Sequence, residues 1–180
     1  MIKLLDILKE NKILVPRRSP EERQKNYLIA TQKKIQQYIK DGGKGDLDLS
    51  NTPITSLPDG LKVGGRLNLA YTKITSLPDS LQVRDYLDLR NTPITSLLDG
   101  LKVGGYLNLE NTPITSLPDN LQVEGSLSLN NTPITSLPDD LKVGGNLYLY
   151  NTPLSKKYTR DQIKQMIEDK GGYVKGLIHL

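Results

Sequence analysis

The stretch LDLSNTPITSLPDGLKVGGR, residues 47–66, decides the fold because near-copies of it follow one another along the chain. Self-similarity at a fixed period of 20 residues is typical of solenoids, in which each turn repeats the packing of the turn before it. We therefore predict a stack of similar turns. The units begin at Leu47, Leu67, Leu87, Leu107 and Leu127, and a sixth unit begins at Leu147 and decays.

Each unit begins with a short strand. Leu47 and Leu49 are two residues apart, so both point to one face, and Asp46, Asp48 and Ser50 point to the other. A single strand of this kind cannot bury its own apolar face. We expect successive strands to pair in parallel at about 4.8 Å, which would form a sheet along one side of the solenoid.

The remainder of the unit predicts an irregular return. Thr52 follows the strand where the chain must bend, and its small hydroxyl can satisfy backbone groups of the bend. Pro53 and Pro58 exclude a helix interior. Ile54 and Leu57 supply apolar groups at a spacing that fits neither a helix nor a strand. The sequence thus predicts loop-like convex returns.

The repeated pattern L-x-L-x-x-T-x-I-x-x-L-P-x-x-L resembles the short bacterial class of leucine-rich repeats, found in bacteria and their phages, over residues 47–154. Two positions depart from that class. Thr52 replaces the Asn common at the bend, and Gly64 stands where longer repeats have a further Leu. The resemblance implies an α/β solenoid with short parallel strands on a concave, protein-binding face. Some relatives of this class add a ubiquitin ligase domain with a catalytic Cys, but this chain has no Cys, so that activity is not implied.

The regions that flank the repeats have the features of caps. Residues 1–45 are predicted to form a helical N-terminal cap, because Ser19 precedes Pro and two Glu at a helix start. Residues 46–155 contain the repeats, interpreted as six coils of 20 residues. Residues 156–180 are predicted to form a C-terminal cap of one helix, starting at Thr159, and a terminal strand. Caps of this kind cover the open edges of a solenoid.

Charge and composition narrow the function further. Residues 1–45 carry 11 basic and 5 acidic side chains, residues 46–155 carry 7 and 12, and residues 156–180 carry 6 and 3, which gives +6, −5 and +3. The absence of Cys excludes disulfides and thiol catalysis. Charged residues near Met1 interrupt any signal peptide, and no apolar run approaches the ~18 residues of a membrane span. We expect a cytoplasmic protein, in the host cell if a phage encodes it.

The candidate binding surface is the outward side of the predicted strands. The residues of the core and the turns hardly change between copies, whereas the outward strand residues vary and include Tyr and Arg, the types enriched in interface hot spots. Neutral drift of exposed positions is the alternative explanation, since Tyr is favoured in strands in any case. The predicted partner-binding residues are Arg66, Tyr86, Asp88, Arg90, Tyr106, Glu110, Tyr148 and Tyr150.

A second deviant patch comprises Tyr71, Lys73, Arg84 and Asp85, where the other copies mostly have Asn, Pro and Gly-Gly. We place it along one flank of the sheet near the candidate binding surface. Ordinary repeat decay explains these residues equally well.

Catalysis and metal binding find little support in the sequence. The repeated Asp59 follows Pro and is typical of a turn, so we predict no metal site and no cofactor. The single His, His179, has no nucleophile or carboxylate cluster near it in the sequence, and we predict no enzymatic activity. The leading hypothesis is therefore a protein-binding module.

Two alternatives remain open. The basic N-terminal segment, with Arg17 and Arg18, is the basis of a nucleic-acid or anionic-surface binder. A structural component of a larger assembly, such as a virus particle, is the other. A further helix is predicted over residues 2–14.

Overall fold

A computed structural model of the chain describes residues 19–180. The predicted helix over residues 2–14 and the basic pair Arg17 and Arg18 lie outside the described residues. Within residues 19–180 the chain forms a β-solenoid of about five turns of 20 residues, with two parallel sheets and helices at both ends. The repeat length and the parallel pairing agree with the sequence prediction.

The first sheet has seven strands and contains the leucine pairs that begin each unit. Leu47 pairs with Leu67 and Asp48 with Asn68, so the register shifts by one whole unit per turn. Residues at the same position of successive units therefore stack in ladders, as the sequence predicts. The strands are β1 (Leu47–Asp48), β3 (Leu67–Asn68), β5 (Leu87–Asp88), β7 (Leu107–Asn108), β9 (Leu127–Ser128), β11 (Leu147–Tyr148) and β13 (Ile178–His179).

A second parallel sheet of six strands corrects the prediction of wholly irregular returns. Its physical basis is a further two-residue alternation, in which Leu61 and Val63 are buried and Lys62 between them is exposed. The prolines upstream do exclude a helix from the return, as predicted. The strands are β2 (Lys62–Val63), β4 (Gln82–Val83), β6 (Lys102–Val103), β8 (Gln122–Val123), β10 (Lys142–Val143) and β12 (Tyr173–Val174).

The core consists of aliphatic ladders between the two sheets. In one turn, Leu107, Leu109, Ile114, Leu121 and Val123 are all at most 1% exposed. Full burial of such a side chain stabilises the fold by about 1.5–3 kcal/mol. The same set recurs in each turn, which explains how a chain without Phe or Trp forms a continuous core.

The bend after each first-sheet strand is held by its threonine. The Thr112 hydroxyl donates to the Leu109 carbonyl at 2.7 Å, and Thr112 is only 2% exposed. The same bond forms at the other bends, which confirms the predicted role of this residue. Asn111 before it has a φ of 56°, a left-handed conformation that Asn tolerates better than most residues.

Glycines let successive turns stack closely at the corner that leads back to the first sheet. A Cβ on Gly125 would lie 2.7 Å from the Gly105 carbonyl carbon. No side chain fits at that distance, so the paired glycines permit the backbone contact of neighbouring turns.

Helix α1 (Pro20–Lys40) covers the β1 edge of the first sheet. Ser19 and Glu22 form the predicted capping box at its start. Ile35 of this helix is buried, whereas Ile39 is 47% exposed. The Lys34 ammonium and the Tyr27 hydroxyl donate to the carbonyls of Asp48 and Asn51. α1 therefore satisfies edge groups that a free strand would leave exposed.

The last turn differs from the predicted sixth coil of 20 residues. Leu147 pairs with Ile178, so this turn takes 31 residues. The helices α2 (Pro153–Lys157) and α3 (Arg160–Asp169) form its return, and β12 and β13 then join the two sheets. Ile163 and Ile167 bury one face of α3. The predicted C-terminal helix and terminal strand are present, but they belong to one enlarged turn.

None of the helices within residues 19–180 has the length and apolar character needed to cross a membrane.

Candidate functional site

The outward side chains of the first sheet form the candidate site, which we call the outer face. The central residue of each leucine pair lies on it, and the strand register stacks these residues in one row across the sheet. The row consists of Asp48, Asn68, Asp88, Asn108, Ser128, Tyr148 and His179.

An aromatic pair covers the middle of this row. The rings of Tyr86 and Tyr106 stack with 5.1 Å between centroids and 11° between planes. Beneath them Asp88, Asn108 and Ser128 are only 2%, 4% and 1% exposed. Side chains predicted to face solvent thus form a small polar layer under two tyrosines.

Asp88 organises its neighbours and is not available to a partner. Its Oδ2 accepts a hydrogen bond from the Tyr86 hydroxyl at 3.1 Å and lies 3.3 Å from the Arg90 Nε. Its Oδ1 accepts from the Arg90 backbone N–H at 3.1 Å. The Arg90 guanidinium carbon in turn lies 6.0 Å from the ring centroid of Tyr71. Asp88 therefore positions Arg90, whose side chain is 44% exposed and can reach a ligand.

The Asp and Asn residues of the row share a local structural role. Each side-chain Oδ1 accepts a hydrogen bond from the backbone N–H two residues later, at 2.9 Å for Asp48 and 3.0 Å for Asn108. This contact satisfies the backbone where the strand ends. The signal was present in the sequence, because only Asp or Asn occupies this position in four successive copies. Asp88, predicted as a contact residue, is better described as a structural residue of the outer face.

Burial also affects the acidity of the stacked tyrosines. The pKa of Tyr86 is raised to about 12, mainly by burial and also by the nearby Asp88 carboxylate, while the hydrogen bond from Asn108 opposes the change. Burial likewise raises the pKa of Tyr106. A phenol with a raised pKa stays protonated, so both hydroxyls remain neutral hydrogen-bonding groups at physiological pH.

A second aromatic pair lies nearer the C-terminus. The rings of Tyr148 and His179 stack with centroids 4.7 Å apart, and the Tyr148 hydroxyl accepts from the Asn146 amide at 3.1 Å. His179 Nε2 is buried without a hydrogen-bond partner among the described residues. Ser128 Oγ, on the strand paired with Tyr148, is also buried without a hydrogen-bond partner among the described residues, and the Tyr106 side chain lies close to it. The outer face thus holds two polar atoms that lack good partners.

Several predicted contact residues remain accessible. Tyr150 is 65% exposed. Arg66 is exposed and pairs with Asp85 at 3.4 Å. Glu110 is half-buried at the end of its strand. Accessible and half-buried side chains therefore surround a preorganised aromatic centre.

The predicted secondary patch is divided between the two ends of the strands of the first sheet. Tyr71 and Lys73 follow the C-terminal end of strand β3 and line a shallow pocket with Tyr27 of α1. Arg84 and Asp85 precede the N-terminal end of strand β5, on the side where the chain arrives from the second sheet. The structure does not bring these four residues together.

Across residues 19–180, His, Asp and Glu side chains do not gather in threes around a point where a metal ion could bind.

Sequence comparison does not assign the chain to a family. No protein-family model matches the chain, and no curated protein matches it.

Proposed function

We propose that this chain is a non-enzymatic module that binds a partner protein on the outer face of its first sheet. The observation that carries the proposal is the coincidence, on one surface, of rigid aromatic pairs, an exposed Tyr150 and an exposed Arg90. Tyr and Arg are the residue types that contribute most to protein interfaces.

Preorganisation supports the proposal. Stacking holds the ring of Tyr106, and the Asp88 carboxylate holds the Arg90 side chain before any ligand arrives. Side chains that are already ordered lose little conformational entropy on binding. A surface of this kind favours a specific partner over weak, non-specific adhesion.

The two buried polar atoms without hydrogen-bond partners also support the proposal. A buried polar group without a hydrogen bond costs about 1–3 kcal/mol. Ser128 Oγ and His179 Nε2 both carry this cost on the outer face. A partner that supplies hydrogen bonds to these two atoms would recover part of it.

A comparison with the return surface of the same molecule supports the choice of face. The exposed Thr and Ser between the bend and the following turn repeat almost without change there, as at Thr95 and Thr115. This strip of the return offers nothing to distinguish one partner from another. The outer face differs in every turn, as recognition of an asymmetric protein requires.

The resemblance to short bacterial leucine-rich repeats agrees with this function, and we propose membership of that class. The second parallel sheet on the return is a departure from the expected loop-like convex side. It changes the back of the solenoid and leaves the outer face, with its leucine register, intact.

Affinity capture with matched variants tests the proposal. The outer-face variant combines Arg90→Ser and Tyr150→Ser, because both side chains are exposed and their loss should leave the fold intact. The control combines Thr95→Ala and Thr115→Ala on the return. We expect the parent and the control to retain the same protein from extracts of the source cells, and the outer-face variant to lose it.

Salt dependence separates this function from the polyanion alternative. Binding to phosphates should weaken steeply between low and moderate salt, whereas an aromatic interface should respond little. Retention of nucleic acid, instead of protein, by the parent would contradict the proposal.

A further inference from the structure

A groove of about 1190 Å³ lies on the outer side of the second sheet, across strands β2, β4 and β6. It is separate from the outer face of the first sheet. It is also confined to the N-terminal half of the solenoid, although the repeat continues beyond it. A local change in the repeat must therefore create it.

The change is a break in the hydrogen-bond ladder between turns. The backbone N–H groups of Gln82 and Gln122 donate to the carbonyls of Leu61 and Leu101. No equivalent bond from the Lys102 N–H to the Leu81 carbonyl is found among residues 19–180. Correspondingly, β4 and β6 pair at one residue only, Val83 with Val103, where most neighbouring strands of this sheet pair at two.

The adjoining turns show the same opening. Gly60 and Asn120 donate to the Asp carbonyls of the next turn at 3.2 and 3.0 Å. In the described structure the equivalent N–H groups of Ser80 and Gly100 have no such bond, and in these two turns the N–H groups of Leu81 and Leu101 donate to the carbonyls of Pro78 and Leu98. Ser80, Gly100 and Lys102 all line the groove. The groove thus presents backbone N–H groups whose equivalents in other turns are hydrogen-bonded to the neighbouring turn.

The groove has an apolar wall that the other turns lack. Leu98 stands where the other four copies have Pro, and it is half-buried. Leu97 is also half-buried, whereas its counterparts Leu77 and Leu117 are 6% and 8% exposed. A half-buried leucine pair beside open backbone groups provides a place for an apolar side chain of a ligand.

The charges of the groove are mainly positive. Lys44, Lys62, Arg84 and Lys102 line it, and none of them forms an ion pair with another residue of the described chain. Two carboxylates, those of Asp79 and Asp99, also line the groove. The excess is therefore two positive charges in a repeat region whose overall charge is negative.

We propose that this groove binds an acidic peptide segment of a partner protein, with an apolar side chain among its carboxylates. The cations match the carboxylates, Leu97 and Leu98 match the apolar side chain, and the free N–H groups match peptide carbonyls. Asp79 and Asp99 supply acceptors for peptide N–H groups.

A nucleic acid fits the same groove poorly. Its lining contains no aromatic residue on which a base could stack. The two carboxylates oppose a continuous run of phosphates, and the leucines contribute nothing to phosphate binding. A single-stranded oligonucleotide is therefore the appropriate competing ligand in the test.

Fluorescence anisotropy with the complete chain tests the proposal. The probes are a labelled peptide of alternating Glu and Leu, a labelled peptide of alternating Lys and Leu, and a labelled oligothymidylate. We expect saturable binding of the Glu-Leu peptide only. Tighter binding of the oligothymidylate, or no saturable binding of the Glu-Leu peptide, would overturn the proposal.

Variants locate the binding. Lys62→Glu combined with Lys102→Glu should weaken binding of the Glu-Leu peptide by at least about tenfold, because two attractive charges become repulsive. The control Lys142→Glu changes the same repeat position outside the groove and should alter affinity by less than about twofold. Equal losses in both would contradict the assignment to the groove.

Leu98→Pro provides an independent test of the apolar wall. Because Pro occupies this position in the other four copies, the variant should fold. It should weaken binding of the Glu-Leu peptide several-fold while leaving the circular dichroism spectrum of the protein unchanged. A folded Leu98→Pro protein with full affinity would show that the wall plays no part.

Discussion

Tyr86 and Tyr106 stack across neighbouring turns with their ring centroids 5.1 Å apart, and together they cover the buried carboxylate of Asp88. The pair converts an exposed strand surface into a small second core. Because the two residues are one repeat apart in the sequence, the stack depends on the register of the whole solenoid.

Substitution of Asp88 tests this second core. Asp88→Ala removes the partners of Arg90 and of the Tyr86 hydroxyl, and should lower the free energy of unfolding by about 1–3 kcal/mol. Asp88→Asn keeps the acceptor for the backbone, as Asn68 and Asn108 do in adjacent turns, so it should cost less. Urea denaturation measures both. An Asp88→Ala protein as stable as the parent would contradict the structural role given to this residue.

Alkaline pH provides a second test. The pKa of Tyr86 is raised to about 12 from an ordinary value of 10.0, so the folded state favours the neutral phenol. The resulting stabilisation is complete below pH 10 and is lost as the pH rises through about 12. The unfolding free energy should therefore decrease over this range, and less so in Tyr86→Phe. Spectrophotometric titration should show a late-ionising tyrosine that the Phe variant lacks.

The bend threonines permit a test with an internal control. Thr112→Val preserves shape but leaves the Leu109 carbonyl without its 2.7 Å hydrogen bond, which should cost about 1–2 kcal/mol. Thr115→Val, on the exposed return of the same turn, should change stability by no more than about 0.5 kcal/mol. Thermal denaturation compares the two, and similar values would remove the distinction between bend and return.

Tyr71 should be a site where a substitution stabilises the protein. It has a φ of 60°, and the same position is Asn in the other five bends. A non-glycine residue other than Asn or Asp is strained in this conformation, so Tyr71→Asn should raise stability by about 0.5–1 kcal/mol. A loss of stability in calorimetry would instead indicate that the contact between Tyr71 and Arg90 outweighs the strain.

The sequence was sufficient to predict the features that recur. The leucine spacing predicts the first sheet, and the bend threonine and the capping residues Ser19 and Thr159 act as expected. Each of these depends on neighbours within a few residues or on the identical residue one turn away. Contacts of this kind can be predicted from the sequence because they repeat in every turn.

Other features depend on contacts that the repeat does not encode. The second sheet has strands as short as those of the first, such as Lys62–Val63, but they follow two prolines and a turn in a segment whose apolar residues are irregularly spaced. The burial of Asp88 needs the Tyr86 side chain to fold over it, and the break near Lys102 is confined to particular turns of the repeat. Strand pairing was predictable, whereas the surroundings of individual outward side chains were not.

Site-specific photocrosslinking tests the proposed binding face most directly. A photoreactive amino acid would replace Tyr150 on the outer face or, as the matched control, Thr115 on the return, because both positions are exposed. In extracts of the source cells, we predict a covalent adduct with one protein from position 150 and none from position 115. Equal labelling from both positions, or no protein adduct from position 150 in the folded chain, would contradict the account.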